Sequence, residues 1–404
     1  MEKYKYVILG AGPAGLTCGN MLSKLGENDF IILEKEEVAG GLCRSVELDG
    51  APLDIGGGHF LDVRDSDVTD FLFGFMDKSE WNLFKRNSQI DLGNFRITHP
   101  FESNIWQMPQ EEQIKYLKSI AIAGSNIGSE MPEKFVDWIR WKLGDLIANE
   151  YMLPYNQKMF GSELDELGTY WLEKLPNVSF DETLLSCINK KPYGTQPGHA
   201  QFYYPKRYGY GEVWRRMAES INTHILYNKE VVSIDYNKKE IETNDCQILK
   251  AENFIVTIPW NSIKNHYGIE FEIEKIIKSL KYTSVNISYI PDDLETNAQW
   301  IYYPNLNLPY HRILVRKNFY NNSKGYWTET NSSRSKKSNY FTYRNEYAYP
   351  LNTIYKRENM KVLLEWMKKR NIYGLGRWGE WEHYNSDVTV KRAMLLADSL
   401  KKLK

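Results

Sequence analysis

The chain has 404 residues, and its 51 Lys and Arg stand against 52 Asp and Glu. That balance gives no global field for nucleic acid or an anionic membrane surface. Four cysteines, Cys18, Cys43, Cys187 and Cys246, lie without CxxC spacing, which argues against a disulfide framework or a zinc site and fits a reducing compartment. No apolar run approaches a membrane span, and the N-terminus enters a strand with no signal-peptide pattern. The expectation is a soluble, cytoplasmic protein without metal, nucleic acid or membrane partners.

In chain order, "YKYVILGAGPAGLTCGNMLSKLGENDFIILEK" predicts a strand, a glycine turn, an amphipathic helix and a second strand. Gly10, Gly12 and Gly15 form G-x-G-x-x-G between the first strand and the helix. The glycines permit a tight turn and close approach, and the helix N-terminus favours a pyrophosphate. Glu34 ends the second strand, where a carboxylate can hold a ribose hydroxyl, and a Glu there argues against a 2′-phosphate. The pattern reads as a dinucleotide site. Gly40 and Gly41 follow, with Arg44 just beyond, and then the glycine run of "LDIGGGHFLD", which ends on His59.

From 108 to 190 the texture is helical. Pro109 and "QEEQ" mark a helix start, and Ile114, Leu117, Ile120 and Ala121 repeat on one face. Phe135, Trp138, Ile139, Leu143, Leu146 and Ile147 form a second apolar stripe, read as core. Residues 225–258 are strand-like, and 282–320 alternate as in an antiparallel sheet. The polar stretch 321–339 reads as a loop or flap, and "DVTVKRAMLLADSLKKL" as a closing helix. Gly374, Gly376 and Gly379 repeat G-x-G-x-x-G, but Arg377 and Trp378 crowd that site and no acid follows at the right distance. One nucleotide domain leaves no built-in nicotinamide domain. The fold class expected is α/β: a Rossmann-type domain (1–85, 206–265 and 350–404), an inserted helical domain (108–190) and an antiparallel sheet domain (86–107, 191–205 and 266–349).

The loop "EEVAGGLCRS" resembles the double-glycine signature of the flavin amine oxidase, protoporphyrinogen oxidase and GDP-dissociation-inhibitor superfamily. Within it, "PYNQKMFGSELDELGTYWLEKLPNVSFDE", "LPYHRILVRKNF" and "YAYPLNTIYKRENMKVLLEWM" with "GLGRWGEWEHYNSD" resemble blocks of the UDP-galactopyranose mutases, in order through most of the chain. The resemblance implies non-covalent FAD, with Gly41 and Arg44 under the cofactor and Gly57 and Gly58 at its ring. It implies a pyranose–furanose mutase in which reduced FAD N5 attacks the anomeric carbon of a UDP-galactose-like nucleotide sugar without net redox, so that an external reductant is needed.

By the same resemblance Arg377 and Asp387 belong to the flavin-holding end, where the helix after Asp387 aims its N-terminus at the pyrimidine ring. By it, too, His59 stands beside the flavin, and Arg312 grips the pyrophosphate. Tyr349 and Tyr384 lie near phosphates and flavin, and Tyr155 and Asn156 in the uracil pocket. This chain departs at Lys174, which replaces a second phosphate-binding arginine, at Phe160, which replaces a tryptophan under the sugar, and by one extra residue in the glycine run. A homodimer stays open. Asn- and Lys-rich usage suggests an AT-rich bacterial genome and surface-polysaccharide biosynthesis. A flavin oxidase of the amine or protoporphyrinogen type is the alternative, and a flavin-free binding protein of the GDP-dissociation-inhibitor type is a more distant one.

Overall fold

The computed structural model describes residues 2–402 except 125, 127, 173–177 and 195–198. Lys174, the expected replacement for a phosphate-binding arginine, lies outside the described residues.

Strand Glu2–Leu9 runs into the turn at Gly10, helix Pro13–Lys24 follows, and strand Phe30–Leu33 returns parallel to the first. Phe30–Leu33 is buried throughout, as a parallel strand covered on both faces requires. Strand Ile248–Val256 lies parallel on the other side of Glu2–Leu9, and Ile225–Leu226 extends the sheet beyond Phe30–Leu33. Glu240–Thr243, Val231–Asp235 and Asn265–Tyr267 continue the opposite edge, while Ile372–Gly374 pairs with Ile248–Val256. Among the described residues this sheet has eight strands. Helix Ser386–Lys402 packs on helix Pro13–Lys24, so the C-terminus returns to the first βαβ unit.

A second sheet of seven strands is ordered Thr342–Pro350, Tyr282–Ile290, Tyr326–Asn331, Arg312–Val315, Trp300–Tyr302, Ser88–Asp91 and Arg96–Thr98. Tyr282–Ile290 alternates half-buried and buried residues along its whole length, the period-2 signature of an antiparallel strand with one packed face. Two expectations need correction here. The sheet is antiparallel except where Trp300–Tyr302 pairs parallel with Ser88–Asp91. The polar stretch expected as a loop contains Tyr326–Asn331, a strand flanked on both sides, whose Thr328, Glu329, Thr330 and Asn331 are all buried.

The helical block comprises Gln110–Gly124, Phe135–Ile147, Leu153–Phe160 and Phe180–Asn189. The stripe from Phe135 to Ile147 is core as expected, with Leu146 partly buried. The first helix is rotated from the expected face: Tyr116, Ile120 and Ala123 are buried, whereas Ile114 is 65% exposed and Ala121 is also exposed. Tyr116 decides the rotation, packing edge-on to Phe101 and donating to the Glu150 carboxylate. An aromatic with a polar tip outweighs one aliphatic residue.

Candidate active site

Gly12 caps helix Pro13–Lys24 without any side-chain cap bond, and no acid sits in the first turn. The first N–H groups of that helix therefore open toward a ligand, a ready anion site. A Cβ on Gly15 would lie 1.9 Å from the Gly10 carbonyl oxygen, so the glycine is required by helix-on-strand contact. A Cβ on Gly12 would meet only the Gly41 Cα, at 3.9 Å. The double-glycine loop thus lies directly across from the phosphate turn. Arg44 holds that loop, donating from Nε to the Gly41 carbonyl (3.0 Å) and from Nη2 to the Tyr343 hydroxyl (2.6 Å).

Glu34 is buried, and its two oxygens accept from the Ala11 and Glu36 backbone N–H groups at 2.8 and 3.0 Å. Burial pushes this carboxyl upward, and the two backbone bonds and Arg44 act against that. Each oxygen keeps a lone pair for a ribose hydroxyl. A cleft of about 430 Å³ joins Gly10, Gly12, Glu34, Gly41, Arg44, His59, Arg377 and Tyr384.

At its far end Arg377 donates from Nε and Nη2 to the Tyr384 carbonyl (3.1 and 2.8 Å) and from Nη1 to the Ala348 carbonyl (3.1 Å). Asp387 lies in the first turn of Ser386–Lys402, with Oδ1 buried and lacking a hydrogen-bond partner among the described residues. Burial, and then nearby Asp62, raise its pKa to about 6. Its own and Val388's backbone N–H groups act against that rise, and the cleft takes Ser386 and Thr389 from this helix, not Asp387.

The glycine run is packed by the protein itself. Gly57 has φ +94°, and a Cβ there would sit 2.7 Å from Glu329 Oε1. A Cβ on Gly58 would sit 2.5 Å from Leu314 Cδ2. Gly58 N–H donates to Glu329 Oε1 (3.0 Å), and Asn345 Nδ2 donates to the Ile55 carbonyl (2.7 Å). The run is clamped onto the second sheet, and His59 emerges from it into the cleft. Burial, with Arg377 next, lowers the His59 pKa to about 3. Its imidazole is neutral at physiological pH.

Arg312 opens its strand and donates from Nε and Nη2 to Glu329 Oε2 (2.8 and 2.5 Å). Burial alone would raise Glu329, but Arg312, His311 and the Gly58 N–H hold it down at about 2. His311 lies 3.5 Å from the same carboxylate and edge-on to Tyr155, with 5.9 Å between ring centroids. Tyr155 also meets Tyr302 edge-on at 5.4 Å. Tyr349 stacks obliquely on His383 at 4.8 Å, and burial, with Glu329 next, pushes its phenol to about 12. Tyr384 is likewise raised to about 12, by burial first. Both phenols stay protonated and can donate.

His59, Arg312, Tyr155 and Tyr349 are thus gathered around Glu329. Asn156 is buried nearby on the same helix as Tyr155, with Nδ2 donating to the Met152 carbonyl (2.7 Å). Phe160 is buried in the main core. The sequence reading missed Glu329 and His311. Thr328 and Thr330, β-branched on either side of Glu329, were the available strand signal.

The fold and cleft define a dinucleotide-binding α/β protein whose nucleotide turn, double-glycine loop and clamped glycine run lie along one groove. The model of the flavin containing amine oxidoreductases matches residues 13–291, and the chain belongs to that family. Its cofactor is FAD, which the bare helix start and the Gly12–Gly41 gap fit.

The crystal structure of reduced UDP-galactopyranose mutase is similar over 100% of this chain and 95% of that one, with TM-score 0.89 and 22% identity. A putative protoporphyrinogen oxidase from Exiguobacterium sp. 255-15 matches over 100% of this chain and 99% of its own, with TM-score 0.73 and 13% identity. At such identities the likeness establishes the fold. An uncharacterized protein in the nifH2 3′ region of Methanothermococcus thermolithotrophicus is 41% identical over 68 residues, which are 17% of this chain and 65% of that protein. No helix among the described residues is long and apolar enough to cross a membrane.

Proposed function

We propose that this protein is a flavin-dependent nucleotide-sugar mutase of the UDP-galactopyranose mutase kind, interconverting pyranose and furanose forms without net oxidation. The observation that carries the reading is Arg312, a guanidinium fixed by a buried carboxylate beside the His59 run and surrounded by Tyr155, Tyr302 and Tyr349. A protonated amine substrate has no use for a fixed cation at its binding site. A nucleoside diphosphate has one, because a guanidinium edge grips phosphate oxygens while a tyrosine face meets the base.

When bound and reduced, FAD would supply the nucleophile at the anomeric carbon. Arg312 would hold the diphosphate at departure, and the protonated Tyr349 and Tyr384 hydroxyls would donate to its oxygens. Neutral His59 would hydrogen-bond at the reacting edge of the cofactor without adding charge. Tyr155 and Asn156 would place the base, Phe160 would shape the sugar end, and Lys174 would add a second cation. Gly41, Arg44 and Arg377 would hold the cofactor itself, Gly57 and Gly58 would seat the backbone that brings His59 to its ring, and Asp387 would act from the first turn of the closing helix. In this reading the nucleotide domain, the helical block and the second sheet are three units meeting at the cleft, the reductant is external, and the work is cytoplasmic synthesis of surface polysaccharide.

The test is to incubate dithionite-reduced protein with a panel of nucleotide sugars and analyse the products. Furanose formed only after reduction, with no stoichiometric oxygen uptake, is the expected result. Turnover by oxidised protein with oxygen uptake would replace the mutase by the oxidase.

A further inference from the structure

Glu329 is 1% exposed and is used on both of its oxygens by two different parts of the site. Oε1 accepts the Gly58 N–H and occupies the space a side chain on Gly57 would need. Oε2 takes Nε and Nη2 of Arg312. Two of the five guanidinium N–H groups are thereby spent, and the other three have no protein partner among the described residues. His311 closes the remaining side at 3.5 Å. The carboxylate therefore determines which edge of Arg312 is presented, and it seats the backbone from which His59 projects.

It also sets local charge. Arg312 is matched by Glu329, so the net positive charge at this end of the cleft comes from Arg377, whose N–H groups go to backbone carbonyls.

We propose that Glu329 is a positioning residue that locks Arg312 and the His59 run into one unit and sets the electrostatic potential at the flavin. This rests on the FAD site and, for the nucleotide arm only, on the mutase reading.

Glutamine cannot replace it, since its amide can accept from Gly58 or from Arg312 but not from both. The experiment measures the flavin midpoint potential of FAD-loaded wild type, Glu329→Gln, Glu329→Asp and Arg312→Gln, with UDP affinity read from the flavin spectrum. Removing a negative charge favours the electron-rich reduced flavin, so Glu329→Gln should shift the potential upward. Arg312→Gln leaves the carboxylate uncompensated and should shift it downward. Glu329→Asp keeps the charge and should stay near wild type in potential while losing roughly tenfold in UDP affinity, the scale of one charge-assisted contact.

A merely structural glutamate would alter FAD content or melting temperature without opposite-signed shifts in the loaded fraction. Unchanged potentials, or shifts of the same sign in the two glutamine variants, overturn the proposal. If Glu329→Gln does not fold, Arg312→Gln and Glu329→Asp decide by the same signs. Failure of the wild type to bind UDP counts against the mutase reading, and the potentials still decide the role of Glu329.

Discussion

The Arg312–Glu329 pair shows how little a single residue means apart from its partner. Removing one member of a buried ion pair leaves an uncompensated charge and costs about 3–5 kcal/mol. Arg312→Ala should therefore lower stability by that order, and adding Glu329→Gln should recover much of it. Chemical denaturation of the two single variants and the double variant measures this coupling, and simple additivity would contradict it.

His59 makes a second residue-scale prediction, with the opposite charge sense. Its folded pKa of about 3 lies below the ordinary 6.5, so the unfolded chain takes up a proton first as pH falls. This group contributes nothing above pH 6.5 and destabilises progressively between about 6.5 and 3. FAD-free His59→Gln should thus gain stability relative to wild type on going from pH 7 to pH 4. A pH-independent difference in denaturation midpoint would show that the imidazole is not held neutral.

At the scale of elements, the first βαβ unit was legible because its signals are local. Three glycines, a strand on each side and one acid at the next strand end all lie within residues 2–34. The strand Tyr326–Asn331 was not legible, because its polarity is satisfied across strands. Glu329 meets Arg312 on the neighbouring strand, and Asn331 donates to the Met159 carbonyl from the helical block. Such pairing is invisible until register is known. Ile114 misled for the related reason that the hydroxyl partner of Tyr116, Glu150, lies far along the chain.

The same contrast separates two glycines of one motif. Gly15→Ala forces helix and strand apart, since its Cβ would overlap the Gly10 carbonyl, and overpacking of this kind costs about 1–3 kcal/mol or more. Gly12→Ala has room in the protein but intrudes on the ligand side. The expected outcome is an FAD-free protein that melts lower for Gly15→Ala and near wild type for Gly12→Ala, with FAD affinity reduced in both. Calorimetry of the apoproteins with a flavin titration separates these effects, and equal melting would refute the packing role of Gly15.

At the scale of the whole molecule, the cleft draws its walls from segments far apart in sequence. Gly10 and Glu34 come from the first sheet and its turns, Thr257 and Ile258 from the end of strand Ile248–Val256, and Tyr343 and Asn345 from the second sheet. Arg377 and Ser386 come from the C-terminal return. A cofactor seated there touches both sheets and the closing helix, none of which is held to the others by a disulfide, all four cysteines being free. FAD should therefore act as a cross-brace for the entire fold. Ligand that binds only the folded state stabilises it by RT ln(1 + [L]/Kd), about 2.7 kcal/mol at a hundredfold excess over Kd. Apoprotein prepared by acid precipitation and refolding should unfold at lower temperature, and its midpoint should rise continuously with added FAD. The whole chain should respond, so the near-ultraviolet dichroism of its twelve tryptophans, Trp300 and Trp327 of the second sheet among them, and the far-ultraviolet signal should move together. A midpoint insensitive to FAD, or movement of one signal alone, would mean that the cofactor is held by the nucleotide domain without bracing the rest.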